Sequence, residues 1–126
     1  MTSRNLSVLI VDDEPDMRWL LRHTINQAND GLQVLAEASD GAEGVDQWRE
    51  HRPDVVVLDQ RMPMLTGLEA AGQILAEEPT QPLVLFSAFL TDDIRREAAE
   101  IGISACVQKD RMATIPEVLW GVALAG

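Results

Sequence analysis

A chain of 126 residues with 46% hydrophobic content has room for one core and reads as a single domain, spanning residues 1–126. Its formal net charge of −11 argues against direct contact with nucleic acid or an anionic membrane by this domain. The lone cysteine, Cys106, excludes a disulfide framework and a cysteine zinc site, which suits a reducing cytoplasm; no apolar run approaches the roughly 18 residues of a membrane span, and the opening apolar stretch is too short for a signal peptide.

In chain order, Val8-Leu9-Ile10-Val11 is the first apolar run, and it ends on Asp12-Asp13-Glu14. Pro15 sits where a first helical turn accepts it, and Met17, Leu20, Leu21, Thr24, Ile25 and Ala28 follow at helical spacing. Asn29-Asp30-Gly31 is a stop signal, Leu32 to Ala38 reads as a second strand, and Ser39-Asp40-Gly41 as a cap and turn. A helix carrying Ala42, Val45 and Trp48 ends before Pro53. Val55-Val56-Val57-Leu58 is mostly β-branched and apolar without alternation, the pattern of a strand buried on both faces of a parallel sheet. It ends on Asp59, a costly place for a carboxylate unless something pairs with it.

Thr66 then caps a third helix with Leu68, Ala71, Gly72 and Leu75 as its stripe. Leu83-Val84-Leu85-Phe86 is a fourth strand ending at Ser87. Thr91-Asp92-Asp93 opens a fourth helix, with acids where the helix dipole favours them, and Gly102 ends it. Ala105-Cys106-Val107 is a weak fifth strand before Lys109. Thr114-Ile115-Pro116-Glu117 has capping-box spacing, and a last helix turns Ile115, Val118, Leu119 and Val122 inward. Strands alternating with helices through short connections predict an α/β doubly wound sheet.

In such sheets ligands bind at the carboxyl ends of the strands. Those ends carry Asp12 and Asp13, Asp59, Ser87 and Lys109. Three carboxylates brought together repel unless a cation joins them, and an all-oxygen set with room for water and phosphate suits Mg²⁺ rather than zinc. A lysine and a hydroxyl at the same edge can hold phosphoryl oxygens.

These residues, with Met62-Pro63 and Gly67 after Asp59, resemble the receiver domain of two-component response regulators over about Ser7 to Ala125. The resemblance implies a five-stranded parallel (βα)5 sheet of flavodoxin-like or CheY-like topology, strand order 2-1-3-4-5. It implies that Asp59 accepts a phosphoryl group from a sensor histidine kinase, and that Asp12, Asp13, Asp59 and the main-chain carbonyl of Arg61 hold Mg²⁺. Ser87 would bond the phosphoryl oxygen and Lys109 would pair with it. The chain would act as a switch rather than an enzyme, assisting its own phosphorylation and dephosphorylation while controlling an output domain or downstream protein. No output domain is expected within these residues.

The chain also departs from the family. Cys106 occupies the position where the family often has a switching aromatic. Phe89 is bulkier than many relatives there, Arg61 holds a position that tunes phosphoryl lifetime, and Lys109 precedes Asp110 instead of proline. The Lys-Asp pair resembles receivers that precede helix-turn-helix DNA-binding domains. Trp19 and Trp120 fall off their helix stripes on the first and last helices, which share a sheet face in this topology. They mark an expected contact surface for a partner or a second copy. His23 and His51 read as surface residues. A degenerate receiver that only binds partners is one alternative. An aspartyl-phosphate phosphatase or phosphotransferase is disfavoured because Arg61 stands where a second acid is expected, and a flavin module because the first loop is acidic.

Overall fold

The computed structural model describes residues 5–125. Five parallel strands, β1 (Leu6–Val11), β2 (Leu32–Ala38), β3 (Val55–Leu58), β4 (Leu83–Ser87) and β5 (Ala105–Gln108), lie in the order β2-β1-β3-β4-β5. They alternate with α1 (Pro15–Ala28), α2 (Gly41–His51), α3 (Gly67–Glu77), α4 (Asp92–Ile101) and α5 (Ile115–Ala125), so the doubly wound expectation and its strand order hold. No helix among the described residues is long and apolar enough to cross a membrane.

The unbroken apolar strands follow from burial on both faces. Alternate residues of β1, β3 and β4 enter two separate cores. Leu9, Val11, Val56, Leu58, Leu83 and Leu85 pack with Trp48 of α2, Ile74 of α3 and Ala98 of α4. Val8, Ile10, Val55, Val57, Val84 and Phe86 pack with Leu21 and Ile25 of α1 and with Ile115 and Leu119 of α5. Each such side chain contributes about 1.5–3 kcal/mol, so the buried stretches Val8–Val11, Val55–Leu58 and Leu83–Phe86 are wholly apolar.

Helix boundaries mostly lie where the capping residues put them. The Asp40 carboxylate accepts the Glu43 amide at 2.7 Å, Thr91 accepts that of Ile94 at 3.2 Å, and Thr66 with Glu69 forms a full capping box. The capping box expected at Thr114 is absent. Lys109–Thr114 instead forms a 3₁₀ turn that runs into α5, and the Thr114 hydroxyl donates to the Arg111 carbonyl at 2.7 Å. With Ile115 already helical, Thr114 has no free N-terminus to cap. Two stripe assignments also fail: Gly72 points to open space while Ala70 and Ile74 are buried, and Leu20 and Ala28 of α1 are exposed. The inward face of α1 is narrower than its stripe, and that of α3 is turned toward Ala70 and Ile74, because packing against the sheet decides which side of each helix is covered.

Trp48 is fully buried, as its stripe position predicts, and its indole N–H donates to Gln81 Oε1 at 2.9 Å. The Gln81 amide in turn donates to the carbonyls of Asp54 (3.3 Å) and Pro82 (3.0 Å), tying α2 to the amino ends of β3 and β4. Gln81→Leu would leave the indole N–H unpaired in a dry core, at a cost of about 1–3 kcal/mol. Urea unfolding should show that loss, while chemistry at the opposite, carboxyl edge of the sheet stays intact.

Candidate functional site

Parallel register creates the site. Val11 pairs with Leu58, and the Asp59 amide donates to the Val11 carbonyl at 2.9 Å, so Asp12 and Asp59 emerge side by side. Leu58 pairs with Leu85, and Ser87 with Gln108, which brings Ser87 and Lys109 to the same edge. A cleft of about 280 Å³ there is lined by Asp13, Glu14, Asp59, Arg61, Ser87, Ala88, Phe89 and Lys109. A larger concavity at the amino edge, lined by Asn5, Asn26, Asn29 and Asp30 among others, gathers no comparable set of opposed charges.

Asp12, Asp59 and Ser87 are buried. The Lys109 ammonium lies 3.2 Å from Asp59 Oδ2, to which it donates, and 3.0 Å from Asp12 Oδ2 in ion-pair contact. It is also 3.9 Å from Glu14 Oε1. Burial pushes the Asp59 carboxyl above its usual range and the Asp12 charge adds to this, while Lys109 and the Gln60 amide oppose it. Burial acts to lower the Lys109 value, but the Asp12 and Asp59 carboxylates outweigh it and hold the ammonium above its ordinary value.

The loops are held by local bonds. Gln60 donates its amide to Asp59 Oδ1 at 2.8 Å, and its carbonyl and side chain accept the Gly67 and Leu68 amides. A Cβ on Gly67 would lie 2.2 Å from the Asp59 carbonyl oxygen, so glycine is required here by the close approach of α3 to Asp59. The Arg18 guanidinium donates to the Asp12 carbonyl at 2.6 Å and pairs with Glu37 on β2. Gln108 Oε1 accepts the Leu90 amide at 3.0 Å, joining the loop after β4 to the end of β5.

A cation fits the acidic end of this cleft. Asp12, Asp13 and Glu14 each offer a carboxylate oxygen within 4.8 Å of the others. Asp12 Oδ2 is buried and receives no hydrogen bond, its Lys109 contact lying outside bonding geometry. Such a group of hard oxygens suits Mg²⁺. Glu14 was visible in the sequence only as part of an acid run, and the grouping adds it; Asp59 is instead engaged by Lys109. Arg18, Gln60 and Gln108 left no distinguishing signal, because their roles depend on which backbone groups lie opposite them.

Cys106 is half-buried against the α2–α4 core, and burial pushes its thiol above the usual value. It is a packing residue. Trp19 is 52% exposed and stacks on His23 with centroids 5.0 Å apart. Trp120 differs from expectation: it is only partly exposed and packs against the α1–α5 core, because α5 lies close enough to the sheet for a large ring to reach inward.

Comparison with known proteins agrees with this arrangement. The family model described as response regulator receiver domain matches residues 8–118. A chemotaxis protein CheY of Listeria monocytogenes is 35% identical over 112 residues, covering 85% of this chain and 92% of that protein. A protein-glutamate methylesterase/protein-glutamine glutaminase of Hahella chejuensis is 42% identical over 88 residues, which is 70% of this chain but 25% of that protein. The chain thus spans about a quarter of the length of the methylesterase relatives it matches. The receiver domain of the response regulator NarL from Mycobacterium tuberculosis superposes with a TM-score of 0.91 at 27% identity, over 98% of this chain and 99% of that one. With the strand order, the carboxyl-edge charges and the match over residues 8–118 in agreement, the chain belongs to the response regulator receiver domain family.

Proposed function

We propose that Asp59 is the phosphoacceptor of a single receiver domain over residues 1–126, with a sensor histidine kinase as donor. The observation that carries this is a buried carboxylate at a strand end, lining an open cleft with Lys109 at 3.2 Å. An Asp59 oxygen attacks phosphorus as the bond to the donor imidazole nitrogen breaks, and that nitrogen leaves with its electron pair and takes up a proton. Lys109 offsets the charge gathered on the phosphoryl oxygens, and the Ser87 hydroxyl, now accepting the Phe89 amide at 3.4 Å, turns to bond one of them.

Asp12, Asp13, Asp59 and the Arg61 carbonyl would hold Mg²⁺, with Glu14 at the rim. The bound ion would supply Lewis-acid neutralisation of the transferring group. Phosphorylation then shifts a two-state equilibrium read by an output domain, a transcriptional one included, or by a downstream protein in the cytoplasm. The domain is a switch and not itself an enzyme. The exposed Trp19 on α1 is the stronger half of the contact face proposed for a partner or a second copy, with Trp120 at its half-buried margin.

Intact mass after incubation with acetyl phosphate and Mg²⁺ should show one added phosphoryl group in the wild type. Asp59→Asn and a chelator should each abolish it. No addition to a metal-binding wild type would instead favour the phosphorylation-independent binding module.

The raised Asp59 carboxyl also has a signed consequence for stability. The folded state binds its proton more tightly than the unfolded chain, whose Asp titrates near 3.9, so stability falls as pH rises from about that value through the higher folded one. At pH 7 without divalent cations, Asp59→Asn should therefore melt a few degrees above wild type. Mg²⁺ should raise the melting temperature of the wild type more than that of the variant.

A further inference from the structure

The loops after β3 and β4 are joined by an aromatic–cation pair that the proposed chemistry has not used. The Arg61 guanidinium carbon lies 4.6 Å from the centroid of the Phe89 ring, and both residues line the cleft that contains Asp59. Phe89 is 58% exposed, so this ring is held at the surface and not by a core. Asp13 and Glu14 line the same cleft, yet no carboxylate among the described residues is within 4.0 Å of Arg61. Arg61 is thus an uncommitted cation at the mouth of an anion-receiving cleft, resting on an aromatic face.

We propose that the Arg61 side chain is a second cationic ligand for the phosphoryl group, stored over Phe89 until Asp59 is modified. Its departure then releases the outer restraint on the loop that follows Ser87. This rests on Asp59 being the phosphoacceptor. The physical case is a competition between two partners for one guanidinium. An exposed aromatic face attracts it weakly, whereas a phosphoryl dianion offers charge-assisted, bidentate bonds in a partly desolvated cleft. Arg61 is two residues from Asp59, so the guanidinium can approach the new charge without movement of β3. The loop also carries an inner restraint, the Leu90 amide on Gln108 beside Lys109, so both of its fastenings end next to phosphoryl-contacting residues. That gives this chain a route from phosphoryl charge to loop position that needs no aromatic at Cys106.

Side-chain NMR of the whole chain tests this, because protons above an aromatic face are shielded. The Arg61 Nε–Hε and δ-methylene signals, identified by their loss in Arg61→Met, should lie upfield in the unmodified protein. Phe89→Leu should remove that upfield shift. After acetyl phosphate and Mg²⁺, with modification confirmed by mass, the wild-type signals should move downfield and the Leu90 amide should shift with them. Mg²⁺ alone, or the same additions to Asp59→Asn, should leave Arg61 upfield. Full phosphorylation with Arg61 still shielded would overturn the proposal while leaving Asp59 as acceptor. A wild type that gains no phosphoryl mass would overturn both.

Discussion

One ammonium holds the functional edge of this protein together. Lys109 stands between Asp12 and Asp59, both buried, and is the only cation among the described residues within 4.0 Å of either carboxylate. Two carboxylates placed side by side by sheet register would otherwise repel in a poorly solvated setting. The pairing is incomplete by design of the geometry: Asp12 Oδ2 receives no hydrogen bond and the Asp59 carboxyl remains raised. A site left short of positive charge is prepared for a divalent cation. On the function proposed above, the same Lys109 would then meet incoming phosphoryl oxygens.

Everything that brings this edge into being is backbone geometry. Both faces of β1, β3 and β4 are covered by helices, so their buried stretches are apolar, and polar chemistry collects where burial stops. Close approaches then bring the connecting loops to the site. Gly67 lets α3 press against the Asp59 carbonyl, and Gly44 lets α2 sit on Val11, where a Cβ would lie 2.7 Å from a Val11 methyl carbon. Gln60 stitches the loop after β3 to α3, and Arg18 braces the acid loop from α1. The opposite edge is closed by the Trp48–Gln81 bond, so stability and chemistry occupy different ends of the same sheet.

Membership in the receiver family places the chain among proteins of widely different length, from a CheY of similar size to methylesterases about three times as long. With Cys106 packed into the core as a small apolar residue, an aromatic turning inward beside β5 is not available to this chain. The loop after β4 is fastened instead through Phe89 on Arg61 and Leu90 on Gln108.

Strand identity, the alternation of strands with helices, and the carboxyl-end residues Asp12, Asp13, Asp59, Ser87 and Lys109 were all legible in the sequence. Uninterrupted apolar runs ending in charge can satisfy burial in few other ways. The caps at Asp40, Thr66 and Thr91 were legible because their roles are set by neighbours in the chain, whereas Gly67 was legible only as part of the family motif, since its close approach to Asp59 belongs to the fold. Tertiary structure alone decided the rest. It paired Arg61 with Phe89 and gave Gln81 to Trp48 and Gln108 to Leu90, because each of these partners is brought close by the fold and not by adjacent sequence. It also turned Trp120 partly inward and replaced the Thr114 cap with a continuous 3₁₀-to-α turn. Periodicity tells which side of a helix is apolar, but only packing against the sheet decides how wide a side is covered.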